Sequence, residues 1–483
     1  MYHPSIEEIK ELSRSGNTIP LYREISADME TPVSAYLKVA HGPYSFLLES
    51  VEGGERLARY SFIGTEPFKT LKTGPNENLG EIDPLTKIEE TLKYYQPVSI
   101  AGLPRFHGGA VGYIAYDAVR YFEPVPPPAK DILGLPESIF LLVDTLLVFD
   151  HLRHKIKVVS HVHIEGTDIE DSYREATERI DRLVDRLNRP VPKIEDSDKY
   201  LASNSNGREI KSNWTQDEYK AMVDRVKAYI FAGDIIQAVP SQRLSTNTKA
   251  SPFNIYRALR TLNPSPYMYY LHLDDFHIVG ASPELLVRVE DGVVYNFPLA
   301  GTRRRGSTPE EDAELEIELK NDEKEQAEHI MLVDLGRNDV GRVAKPGSVE
   351  VTDLMRIVKY SHVMHLESEV RGSLREDRSI YDALRSCLPA GTLSGAPKVR
   401  AMEIISEQEG ERRGPYGGAV GYFSFSGNMD TAITIRTMVI KDDIAYIQAG
   451  GGVVADSDPD MEYQETLHKA QALLRSLDEA ENI

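Results

Sequence analysis

Twice between residues 285 and 449 the chain runs strand, short turn, strand, with no room for a crossover between the two strands. Leu285–Glu290 and Val293–Phe297 flank Asp291-Gly292, a dipeptide that tolerates the positive φ angles of a tight hairpin turn. Met438–Ile440 and Ile444–Ala449 flank Lys441-Asp442-Asp443 in the same way. Strands joined this closely pair antiparallel, because a parallel partner needs a crossover of about a dozen residues or more. Segments 309–319, 322–336, 396–408 and 459–477 read as helices packed outside the strands. The predicted fold class is therefore α+β: large, mainly antiparallel sheets packed in a sandwich-like core with helices outside.

A change of composition divides the 483 residues. Ile169, Tyr173, Ala176, Ile180, Leu183 and Leu187 keep a helical period, and the polar stretch 188–213, with its Pro, Ser, Asn and Gly, follows without one. Thr215-Gln-Asp-Glu218 is then a capping box leading into Tyr219, Met222 and Val226. The expected organisation is an amino-terminal domain 1–187, a linker 188–213 and a second domain 214–483. Gly-Gly-Ala-Val-Gly-Tyr occurs at 108–113 and again at 417–422, through a packing motif used twice or a duplication.

The net charge of −21 argues against nucleic-acid partners and anionic membrane surfaces. Any anionic small molecule must find a local basic pocket. The single cysteine, Cys387, excludes an intrachain disulfide and a cysteine-based zinc cluster, and its helical spacing with Ile380, Ala383 and Leu384 predicts a core position. No basic-then-apolar leader opens the chain, and the longest apolar run, 139–149, is interrupted by Asp144. A cytoplasmic location is expected.

Two glutamate pairs carry the strongest chemical signal. Glu325 and Glu328, and Glu462 and Glu465, are each spaced three apart, so each pair can aim two carboxylates at one point from one helix face. Such oxygens suit Mg²⁺, which takes one or two carboxylates and completes its shell with water and an anionic substrate. Either pair alone equally suits a solvated acidic face or a first turn answering the helix dipole.

Gly450-Gly451-Gly452 ends a strand before Asp458-Pro459 starts a helix, an arrangement that can turn backbone N–H groups on an oxyanion or simply make a turn. Gly391-Thr-Leu-Ser-Gly395-Ala-Pro-Lys398 lacks the spacing of a nucleotide phosphate loop. Arg303-Arg304-Arg305 and Arg436 offer partners for carboxylates. His365 and Glu284 are candidates for proton transfer, with structural and surface roles as the plain alternatives. No Gly-x-Ser-x-Gly elbow supports a serine nucleophile.

Taken together, six ordered stretches resemble the anthranilate synthase component I family of chorismate-utilising enzymes over nearly the whole chain. They are Asp-Ile-Ile-Gln-Ala-Val-Pro-Ser-Gln-Arg (234–243), Ala-Ser-Pro-Glu (281–284), Pro-Leu-Ala-Gly-Thr-Arg (298–303), Glu-His-x-Met-Leu-Val-Asp-Leu-x-Arg-Asn-Asp (328–339), Gly-Thr-Leu-Ser-Gly-Ala-Pro-Lys (391–398) and Asp-Pro-x-x-Glu-Tyr-x-Glu (458–465). The resemblance implies conversion of chorismate and ammonia to anthranilate and pyruvate, with Mg²⁺ required. It puts Glu328 and Glu465 on the metal, supported by Glu325 and Glu462. Gly301, Thr302, Tyr416, Arg436 and Gly450, Gly451 and Gly452 would hold chorismate. Glu284 would protonate the departing C4 hydroxyl, which requires a raised pKa. His365 would remove the C2 proton, with Thr392 as an orienting group.

By the same resemblance, water-adding relatives use a lysine base where this chain has Gln237, and aminodeoxychorismate synthases commonly carry a lysine where it has Ala300. Aminodeoxychorismate synthase component I is the alternative reading; a non-catalytic tryptophan sensor is a third. Leu47–Ser50 and Asn263–Met268 resemble two sides of a tryptophan feedback pocket, with Ser50, Pro266, Tyr267 and Met268 as contacts. Glu367 departs from the aliphatic residue usual beside the histidine. With no thiol nucleophile to release ammonia from glutamine, the chain is expected to partner a separate glutamine amidotransferase subunit, as two large and two small subunits in a heterotetramer.

Overall fold

The computed structural model describes residues 1–51, 59–164, 166, 168–192, 208–360 and 363–483. Two large sheets dominate, one of twelve strands and one of ten, and every pairing between their strands is antiparallel. Both predicted hairpins form. Leu285–Glu290 pairs with Val293–Asn296 across Asp291-Gly292, and Thr437–Lys441 pairs with Ile444–Gly450 across Asp442-Asp443. All four turn residues have φ between +50° and +76°, as a two-residue hairpin turn demands.

The sheets face each other across an apolar layer. Phe46, Tyr269, Leu271 and Ile278 from the larger sheet meet Val111, Tyr113, Ile139 and Val420 from the smaller one. Burying a side chain of this size stabilises the fold by roughly 1.5–3 kcal/mol each. Helices cover the outer faces. Ile169–Leu187, Pro252–Leu262 and Pro459–Ala480 lie on the larger sheet, and Pro84–Leu92, Glu323–Gly341 and Ile380–Cys387 on the smaller. This is the predicted α+β sandwich. Among the described residues no helix is long and apolar enough to cross a membrane.

Both chain segments contribute to both sheets. Tyr44–Glu49 pairs with Tyr267–Leu273, and Gly109–Ile114 pairs with Ala419–Ser424. The helix Ile169–Leu187 ends where the first segment was expected to close, but the hydrogen-bonded sheets run across that boundary. Most of the expected linker, 193–207, lies outside the described residues, and its end, Lys211–Ser212, adds a short edge strand to the larger sheet. The capping box at Thr215 and Glu218 is present.

The repeated hexapeptide has a direct physical use. Its copies are neighbouring antiparallel strands, with Gly112 opposite Gly421. A β-carbon on Gly112 would stand 1.8 Å from the Ile139 carbonyl oxygen, and one on Gly421 would stand 2.1 Å from that of Asp430. Both copies use glycine to let strands approach closely.

Candidate active site

The four glutamates come from two helix starts. Asp322 caps Glu323–Gly341 by accepting from the amides of Lys324 and Glu325, which presents Glu325 and Glu328 in the first two turns. Asp458 caps Pro459–Ala480 through the amides of Asp460 and Met461, with Pro459 at the first helical position, and presents Glu462 and Glu465 likewise. All four side chains line one cavity of about 840 Å³. Burial, with the neighbouring charges of Glu325 and Glu465, raises the pKa of Glu328. Burial also raises that of Glu462, whose Oε1 accepts from Ser457 Oγ at 2.7 Å while Oε2 is buried without a partner. Among the described residues no three acidic, histidine or cysteine side chains converge as a preformed cage. The donor set fits a hard cation that keeps water and substrate oxygens in its shell.

The proton-transfer candidates open onto the same cavity. Glu284 follows the strand Phe276–Ser282, and its Oε1 accepts from Thr392 Oγ1 at 3.0 Å. Burial pushes its carboxyl up to about 8, opposed by the Thr392 hydrogen bond and the Lys469 charge. The acid is thus protonated near neutrality. Its proton-donating form disappears as pH rises through about 8, so any turnover that uses Glu284 as an acid should fall on the alkaline side; a rate flat to pH 10 would exclude that role.

His365 lies in the strand Val363–Ser373, and its Nδ1 donates to the Gly301 carbonyl at 2.8 Å, which leaves Nε2 as the free base. Burial lowers its pKa, so the ring is neutral where Glu284 is still protonated. Thr302 Oγ1 lies 3.2 Å from the same Nδ1. Ser361 and His362, from the run that contains His365, lie outside the described residues. Glu367, two residues on, pairs with Arg356 of the adjacent strand, which accounts for a carboxylate at this position.

Arg436, Tyr416, Gly301, Thr302, Gly450 and Gly452 also line the cavity. Arg436 has φ +50°, and its Nη1 donates to the Lys469 carbonyl at 2.7 Å. No carboxylate among the described residues pairs with it, leaving a cation for an anionic ligand. The Arg303–Arg305 run is instead consumed by acids: Arg303 by Glu318, Asp322 and Glu325, Arg304 by Glu311 and Arg305 by Asp312. Gly451 is not in the lining; a β-carbon there would stand 2.5 Å from Glu462 Oε2, so its absence makes room for that carboxylate. Gln237 lines the wall with its Oε1 buried and unpartnered. Cys387 is buried and its thiol is pushed up to about 12, as a core residue rather than a nucleophile.

Sequence reasoning missed Lys469 and Lys324, both in the cavity wall. Lys469 Nζ lies 2.6 Å from Glu465 and donates to the Gly450 carbonyl at 2.9 Å. Its signal was present, since Glu465 and Lys469 are four apart on one helix face.

A second cavity, of about 470 Å³, collects Ser50, Pro266, Tyr267 and Met268 between the sheets. Strand pairing sets Met268 opposite Glu49, next to Ser50. Ser50 Oγ is buried without a partner, and Arg288, Asp430 and Tyr267 form a hydrogen-bonded wall. The pocket combines apolar lining with hydrogen-bonding groups.

The sequence pattern described as chorismate binding enzyme matches residues 43–475, and the chain belongs to that family. Within it, the chain is 49% identical over 495 residues to anthranilate synthase component 1 of Acetivibrio thermocellus, covering 100% of both chains. It is 49% identical over 491 residues to anthranilate synthase component 1 of Pseudomonas aeruginosa, covering 98% of this chain and 99% of that one. The crystal structure of anthranilate synthase component I from Streptococcus pneumoniae TIGR4 superposes with a TM-score of 0.77 at 36% identity, covering 93% and 98% of the two chains. The menaquinone-specific isochorismate synthase of Escherichia coli, at 19% identity and a TM-score of 0.71, shares the fold.

Proposed function

We propose that this chain is the large component of an anthranilate synthase, converting chorismate and ammonia to anthranilate, pyruvate and water. One observation carries the chemistry: a buried carboxyl raised towards its protonated form at Glu284 and an imidazole lowered towards its neutral form at His365 share a cavity with Arg436, which no carboxylate among the described residues pairs. Ammonia adds at C2 of the ring while Glu284 gives its proton to the C4 hydroxyl, which leaves as water. The product of this half is the aminodeoxyisochorismate intermediate. His365 Nε2 then takes the C2 proton as the bond between the ring and the enolpyruvyl oxygen breaks, the ring becomes aromatic, and the departing enolate takes up a proton at its methylene carbon to leave as pyruvate. Arg436 binds carboxylate oxygen, with Gly450, Gly452 and Tyr416 forming the wall beside it; Gly451, whose amide donates to the Pro240 carbonyl, takes no part.

The requirement for Mg²⁺ belongs to the same proposal. Glu328 and Glu465 would hold the ion, with Glu325 and Glu462 supporting them directly or through water. When bound, it neutralises the ring carboxylate and fixes its orientation. Gln237 favours amination over hydration, since a neutral amide cannot take a proton from water. Ala300 favours this branch over aminodeoxychorismate synthase. Incubation with chorismate, Mg²⁺ and ammonium separates the readings: anthranilate appears without any added lyase, whereas aminodeoxychorismate would accumulate as such.

Tryptophan feedback through the second cavity, a glutamine amidotransferase partner, a two-plus-two heterotetramer and a cytoplasmic location complete the proposal. The unpartnered Ser50 hydroxyl supports the feedback site, because a ligand's polar group would satisfy it. Ser50→Arg fills this cavity, and is expected to raise the tryptophan concentration for half-inhibition at least tenfold with little change in uninhibited kcat. Unchanged inhibition would remove Ser50 from the pocket.

A further inference from the structure

Beneath the cavity floor lies an ion pair that the mechanism does not use. Arg413 is 2% exposed and Glu409 6%, and the two meet in a fork, with Nε on Oε2 at 2.9 Å and Nη2 on Oε1 at 2.6 Å. A buried pair of this kind contributes little net stability, because desolvation offsets the attraction. The other side-chain hydrogen bonds of the pair run to segments that carry the site. Arg413 Nη1 donates to the Leu393 carbonyl at 2.8 Å, one residue from Thr392. Its Nη2 also donates to the Val239 carbonyl at 2.7 Å, two residues from Gln237. Glu409 Oε1 accepts both the amide and the hydroxyl of Ser241 at 2.8 Å, and Ser241 is the strand partner of Gly450. The guanidinium stands 5.5 Å from the Tyr416 ring. Arg413 itself does not line the cavity.

We propose that Arg413, locked by Glu409, is a positioning residue: it registers the Thr392 turn, the Gln237 segment and Gly450 against one another, so that Thr392 meets Glu284. The inference rests on the anthranilate synthase reading. A planar five-donor fork can serve three acceptors in fixed directions, whereas an ammonium at the same place cannot.

Steady-state kinetics of Arg413→Lys, Thr392→Val and the double variant, with ammonium as nitrogen source, test this. Expected for Arg413→Lys is a kcat at least tenfold lower with the KM for chorismate within about threefold, because the acid is misplaced while Arg436 still binds substrate. The double variant should be no slower than the worse single one, since both changes break the same contact. Glu409→Gln, which keeps an acceptor for Ser241 but loses the charge that locks the fork, should show the same kcat-selective loss. Multiplicative losses in the double variant, a loss confined to KM, or wild-type kcat would each overturn the proposal. So would failure of both Arg413→Lys and Glu409→Gln to fold, which would make the pair a determinant of the fold alone. A wild-type chain that makes no anthranilate would instead sink the parent reading.

Discussion

Glu465→Gln is expected to lower kcat by about 10²–10³-fold at ordinary Mg²⁺, on the scale of losing one preorganised electrostatic contact to a developing charge. Glu328 has its pKa raised by burial and by the neighbouring carboxylates Glu325 and Glu465, and Glu462 keeps one buried oxygen without a partner. Acids gathered this way repel one another, so a cation is the group that turns the cluster from a cost into a gain. Replacing Glu465 by its amide relieves part of the repulsion and removes part of the cation's attraction. The thermal midpoint in EDTA should therefore hold or rise, while Mg²⁺ affinity measured by calorimetry falls at least tenfold. Lys469, freed from Glu465, keeps its bond to the Gly450 carbonyl, which limits structural damage. Full activity and unchanged Mg²⁺ affinity would refute the assignment of Glu465 as a ligand.

His365→Ala is expected to separate the two halves of the reaction. The imidazole is oriented by its Nδ1 hydrogen bond to Gly301 and kept neutral by burial, so its free Nε2 suits proton removal. Losing a general base typically costs 10²–10⁴-fold in the step it serves. Anthranilate formation should fall by that amount while chorismate is still consumed, with an intermediate that carries both the amino group and the intact enolpyruvyl ether accumulating in the product mixture. A parallel fall in chorismate consumption, without accumulation, would reassign His365 to ammonia addition.

Much of this was legible from residue pattern. The hairpin turns announced the antiparallel sheets because a two-residue turn with positive φ leaves no other connection. The three-residue spacing of each glutamate pair placed both carboxylates on one helix face, and Asp458-Pro459 marked one of the two helix starts. What pattern reading could not supply was how distant segments add up. Nothing local in Tyr44–Glu49 states that its partner is Tyr267–Leu273, more than two hundred residues later, so a boundary visible in composition hides sheets shared across it. The Arg303–Arg305 run looked available to substrate until the surrounding acids were seen to occupy it. No local pattern marks Arg413; only its burial against Glu409 and two carbonyls points to a role.

The most direct measurement is product analysis of the unmodified chain given chorismate, ammonium and Mg²⁺, with and without EDTA. Anthranilate and pyruvate are expected in equal amounts, both abolished by EDTA and restored by added Mg²⁺. Accumulation of aminodeoxychorismate or isochorismate in place of anthranilate, or turnover indifferent to EDTA, would contradict the anthranilate synthase reading.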